Sequence, residues 1–198
     1  MLWLPYFNRM LHETLQRARG GDPAAMQQLG RWHAAGEAGC SLDPGLAAYW
    51  FFQAWQSGKD DAESDIIRIR EPLEDAAAAG SAEAQNALGL LLCFGHDEPR
   101  VAADWFARAG DQDHPEALRS LAWLFESGRG IPKDEPAAAD FYRKAADLGD
   151  PFAQFNYAIM LDQGRGVERD PVAVRHWLKL AADQGMQDAV DALKDLNG

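Results

Sequence analysis

The chain has 198 residues, of which 47% are hydrophobic and 25% charged, and it carries a net charge of −12 at pH 7. These proportions belong to a folded chain of one or two domains, or to one medium-length repeat array, and they exclude a disordered one. The charge argues against binding to a phosphate backbone or an anionic membrane surface, since both need clustered Lys and Arg. It suits a basic protein partner, or it serves solubility alone.

The first residues, Met1 to Pro5, are apolar but too short for a signal peptide, and Arg9 follows soon after. No stretch approaches the ~20 apolar residues of a membrane span. Cys40 and Cys93 form no CxxC pair, which fits a reducing compartment without a disulfide framework. The expected location is cytoplasmic, or periplasmic if a leader is removed.

In chain order, Tyr6 to Arg19 reads as an N-terminal helix within segment 1–20. A repeat then begins, anchored by Ala25, Ala84, Ala117 and Ala153. Four residues after each anchor stands Leu29, Leu88, Leu121 or Tyr157, followed by Gly30, Gly89, Ala122 or Ala158. Residues at i, i+4 and i+5 share a helical face, and small ones let two helices approach closely. Gly36, Gly95, Gly128 and Gly164 then end the first helix, in the left-handed conformation that suits glycine.

Asp43, Glu98, Asp134 and Asp170 open the second helix as caps. Proline follows directly in Asp43-Pro44 and Asp170-Pro171, where its missing N–H costs nothing; Asp22-Pro23 and Asp150-Pro151 do the same for first helices. Seven residues after each acid comes Trp50, Trp105, Phe141 or Trp177, expected in the core, and then Ala54, Ala109, Ala145 or Ala181. These patterns place repeats at 21–58, 81–110, 111–149 and 150–185.

The interval from Ala25 to Ala84 is 59 residues, too long for one unit. Gly58 to Ala62 echoes Gly21 to Ala25, so a truncated repeat is expected over 59–80. Its first helix carries Ile66, Ile67 and Ile69, and a short second helix runs from Pro72 to Ala79. Met186 to Leu196, within 186–198, reads as a C-terminal capping helix, with Ala189 standing 36 residues after Ala153. The predicted fold is all-α, a single α/α solenoid over 1–198 with capping helices at both ends.

Two segments carry a family resemblance. Ala117 to Gly149 reads ALRSLAWLFESGRGIPKDEPAAADFYRKAADLG, and Ala153 to Gly185 reads AQFNYAIMLDQGRGVERDPVAVRHWLKLAADQG. Both resemble Sel-1-like repeats of the tetratricopeptide type, whose pattern runs A...LG..Y..G.GV..D..KA..W..KAA..G. This sequence departs where the pattern has Tyr (His33, Leu92, Phe125, Leu161) and Lys (Leu46, Val101, Ala137, Ala173). The resemblance implies a right-handed superhelix with a concave face, and an adaptor or scaffold role. Some bacterial members resemble inhibitors of secreted toxins. It implies no catalytic residue and no cofactor.

Candidate chemistry is sparse. His12-Glu13-Thr14-Leu15-Gln16 lacks the second histidine of a zinc helix. Cys93, His96, Asp97 and Glu98 lack the second half of a Cys/His site, so no metal is expected. Gly128-Arg129-Gly130 and Gly164-Arg165-Gly166 follow helix ends and are turns, not phosphate loops; their arginines are expected in solvent near helix carbonyls.

The sharper signal lies off the packing stripe of the first helices. Gln27, Asn86, Arg119 and Phe155 stand two residues after each anchor, and Arg31, Leu90, Trp123 and Ile159 six after; Asn156 joins them. The resemblance places such positions on a concave groove, where Trp123 and Phe155 are the expected apolar anchors of a protein partner. The alternative is contact with the neighbouring repeat. Four functions are open: an adaptor; an immunity-type inhibitor of a secreted toxin or effector; a hydrolytic enzyme with a groove site; and a structural subunit of an envelope assembly.

Overall fold

A computed structural model describes residues 4–196, with side chains from residue 9. Among them are eleven α-helices and no strand. They divide into two compact units, Met1–Gly95 and His96–Gly198. No helix among the described residues is long and apolar enough to cross a membrane.

The first unit holds α1 (Leu4–Arg19), α2 (Pro23–Ala35), α3 (Pro44–Gln56), α4 (Ala62–Ala78) and α5 (Ala82–Leu90). A π-helical turn, Leu91–Gly95, closes it. The second unit holds α6 (Pro99–Gly110), α7 (Pro115–Ser127), α8 (Glu135–Asp147), α9 (Pro151–Gln163), α10 (Pro171–Asp183) and α11 (Gln187–Asp195). Within each unit, successive helices pack against each other.

The expected caps form at five helices. Carboxylates of Asp22, Asp43, Asp134, Asp150 and Asp170 accept from backbone N–H groups in the first turns of α2, α3, α8, α9 and α10, at 2.6–3.2 Å. Each satisfies donors that the helix itself leaves unpaired. Glu98 differs: it occupies the cap position of α6 but makes no side-chain cap bond. Its extra methylene moves the carboxylate beyond the geometry that Asp achieves. At α7 the cap is His114, whose Nδ1 accepts from the Ala117 N–H at 3.3 Å.

The anchor alanines, Leu29, Leu88, Leu121, Tyr157 and the small residues after them are all buried, as are Ala54, Ala109, Ala145 and Ala181. The aromatic positions need a correction of one residue. Trp50, Trp105, Phe141 and Trp177 are only half-buried, whereas Phe51, Phe106, Tyr142 and Leu178 next to them are fully buried. A helix turns ~100° per residue, so the two positions flank the core boundary. Gly30 is small because of this core ring: a Cβ there would lie 2.5 Å from Phe51.

The region 59–80 also departs from expectation. One continuous 17-residue helix, α4, replaces the predicted pair, with Pro72 inside it. No glycine or cap residue precedes Pro72, and the flanking Ile, Arg, Glu and Leu favour helix, so the chain never leaves it. Meanwhile α3 packs on both α4 and α5. A Cβ on Gly45, at the start of α3, would lie 2.5 Å from the Ala84 nitrogen at the start of α5. The α3–α5 contact thus persists, and α4 is an added helix beside it.

Gly95 does not end a helix in the left-handed region; the π turn carries the chain past it, and Asp97 takes a positive φ of 56° instead. Gly36, Gly128 and Gly164 do cap their helices there, at φ 66–71°. The second glycine of each Gly-Arg-Gly turn has a further reason. A Cβ on Gly130 would collide with Pro99 and Arg100, and one on Gly166 with the Glu135 carbonyl and Pro136. Each turn therefore presses on the first turn of a preceding second helix.

Two stability comparisons follow from this packing. Phe106→Ala should cost roughly 3–5 kcal/mol, and Trp105→Ala only about 1 kcal/mol, in urea unfolding; equal losses would refute the corrected register. Gly166→Ala combines a collision with a positive φ, while Gly149, at φ 94°, has open space around it. Gly166→Ala should therefore cost ~1–3 kcal/mol more than Gly149→Ala, read from the same unfolding curves.

Candidate partner-binding face

In the second unit, helical spacing puts Arg119 and Trp123 on one side of α7, and Phe152, Phe155, Asn156 and Ile159 on one side of α9. Two polar ties hold these sides together. Arg119 Nε donates to Asp150 Oδ2 at 3.1 Å, and the Arg119 guanidinium lies 5.3 Å from the centre of the Phe152 ring. Asp150 caps α9 with its other oxygen, so one buried carboxylate serves both helices.

The second tie is a chain of three. Arg165 donates to Glu126 Oε1 at 2.8 Å, and the Tyr142 hydroxyl donates to Glu126 Oε2 at 2.9 Å. Burial, reinforced by the Glu126 carboxylate, pushes the Tyr142 phenol far above its ordinary value. Arg129 pairs with Asp97 at 2.5 Å, and its guanidinium lies 5.7 Å from the Trp123 ring centre. The turn arginines are thus bound to carboxylates, contrary to the expectation of arginines in solvent.

Phe152 stands out as a large apolar side chain that is 54% exposed. Phe155, Asn156 and Ile159 on the same side of α9, and Trp123 on α7, are half-buried, with Phe155 resting on the core. The reading by positions two and six after each anchor passed over Phe152, which precedes its anchor by one. The available signal was a phenylalanine at a helix position outside the packing stripe.

The candidates in the first unit lie differently. Gln27 is 5% exposed and donates to Asp65 Oδ2 at 2.8 Å; Arg31, itself exposed, donates to the same oxygen at 3.0 Å. Both tie α2 to the added helix α4. Asn86 is 2% exposed, so it offers no contact surface, and Leu90 is half-buried. Gln85 and Gln154, one residue after their anchors, each donate to a carbonyl at the end of the preceding helix, Ala77 and Ala146.

Among the described residues, no cluster of three or more His, Cys, Asp or Glu side chains could hold an ion. His12 contacts the Gln16 amide at 2.9 Å, the residue standing where a second histidine would be needed. Cys93 is buried and Cys40 half-buried, and burial pushes the Cys40 thiol up.

Capped helix pairs meeting through small residues, with a glycine turn inside each pair, define a helix-pair repeat protein of the tetratricopeptide type. The Sel1 repeat model matches residues 23–58, 82–114, 115–150 and 151–186, and the chain belongs to the Sel1 repeat family. The unmatched interval, 59–81, contains α4. No curated protein matches the chain. Among solved structures, a Sel1 repeat protein from Oxalobacter formigenes is 31% identical with a TM-score of 0.60, covering 65% of this chain and 98% of its own. A protective antigen of uropathogenic Escherichia coli displaying an SLR fold is 22% identical with a TM-score of 0.47, covering 92% of this chain and 50% of its own. An immunity protein from Pseudomonas aeruginosa is 18% identical with a TM-score of 0.42, covering 96% of this chain and 74% of its own.

The raised Tyr142 makes a pH prediction. A phenol whose folded pKa lies above its unfolded value contributes stability that is fully present below about pH 10. That contribution is lost as the pH rises from there toward the folded value. Tyr142→Phe should cost roughly 1.5–3 kcal/mol at neutral pH, the range for a hydrogen bond to a charged group. It should also flatten the alkaline fall in stability. Unfolding curves of both proteins from neutral to strongly alkaline pH test this; parallel pH profiles would contradict it.

Proposed function

We propose that this protein is a binding module that docks a protein partner on the α7–α9 face of its second unit. Membership of the Sel1 repeat family supports an interaction role. The observation that carries the reading is Phe152, more than half exposed at helical spacing with Phe155 and Ile159 and over the Arg119 guanidinium. A solvated helix face has no need of such a row, while a docking face takes its binding energy from it.

A hydrolytic site is the weaker reading. The carboxylates bordering this face, Asp150 and Glu126, are already bound to Arg119 and Arg165. An adaptor and a toxin inhibitor would use the face alike, and the captured partner's identity separates them. The groove residues of the first unit are left out of the proposed contact.

Phe152→Ala and Trp123→Ala test the face. Loss of a central aromatic anchor typically removes ~2 kcal/mol or more, about thirtyfold in affinity. Affinity capture by wild type and variants, quantified by mass spectrometry, should show the principal partner lost from both. Their circular dichroism spectra should stay native. Equal capture by all three proteins would place docking elsewhere.

A further inference from the structure

Outward positions of the first helices recur in register. The places held on α9 by Phe152, Phe155 and Ile159 are held on α11 by Asp188, Asp191 and Asp195. The correspondence follows from Ala189, which stands 36 residues after Ala153 and is buried in the same core. An apolar row is thus followed by an acidic row in the repeat's own register. All three aspartates are exposed. Lys194 pairs with Asp191 at 2.7 Å, but among the described residues Asp188 and Asp195 make no ion pair. On α7, Arg119 is bound to Asp150, and Arg165, in the turn after α9, is bound to Glu126. The exposed charge on the row itself, at Asp188 and Asp195, is therefore negative.

We propose that the occupant of this face is a basic amphipathic segment. Its apolar side lies on Phe152, Phe155 and Ile159, and its Lys or Arg side reaches Asp188, Asp191 and Asp195. This rests on the docking reading above and adds the partner's chemistry. An apolar stripe read at helical spacing accepts an amphipathic segment. The acidic row selects its polar side, because an acidic segment would meet like charge.

Selection from a random library of displayed, helix-length peptides tests the inference. Enriched peptides should be net basic, with apolar residues at helical spacing. Their affinity should fall roughly tenfold or more in Phe152→Ala. It should also fall, with its salt dependence reduced, in a protein carrying Asp188→Asn, Asp191→Asn and Asp195→Asn together. The changed residues are exposed, and circular dichroism checks that each variant is folded. Peptides that need Phe152 but show no basic bias overturn the charge assignment and leave the docking face standing. A selection yielding no peptide that needs Phe152 overturns both.

Discussion

Close approach of helix backbones is the constraint on which the rest of the structure depends. The anchor alanines, their partners on the second helices and the residues after Leu29, Leu88, Leu121 and Tyr157 are small and buried without exception. Helices that meet through small residues leave little room for side chains between them. The bulky groups are displaced along the helix, so Phe51, Phe106, Tyr142 and Leu178 fill the layers between contacts. A methyl group added at Gly30 or Gly45 would already be too much.

This constraint explains what could be read in advance. Small residues, capping aspartates and terminating glycines recur at fixed intervals because each answers a local steric or hydrogen-bonding demand. The repeats containing Ala117 and Ala153 show it most cleanly. The one-residue error at Trp105 and Phe106 arose because both are aromatic and the repeat pattern does not say which faces inward. Pro72 has the form of a helix start, but nothing before it ends a helix, and the chain runs through it as α4.

Side-chain ties between distant residues were harder to read. Asp65 lies 38 residues from Gln27 and 34 from Arg31, and nothing in local periodicity links them. Their union explains how an added helix is held: a buried carboxylate on α4 takes donors from α2. The Phe152 face was half readable, since Trp123, Phe155 and Ile159 were picked out by register, while Phe152 fell outside the positions chosen.

The Tyr142–Glu126–Arg165 chain bears on how such repeats are inherited. Its three members come from α7, α8 and the turn after α9, so the carboxylate of one repeat is neutralised by the arginine of the next. A gene duplication or deletion that moves a repeat as a block must deliver an acid and a base in matching places, or leave a partly buried ion without its counterpart. The repeats are alike in backbone yet keyed to their neighbours, and their order along the chain is part of what is encoded.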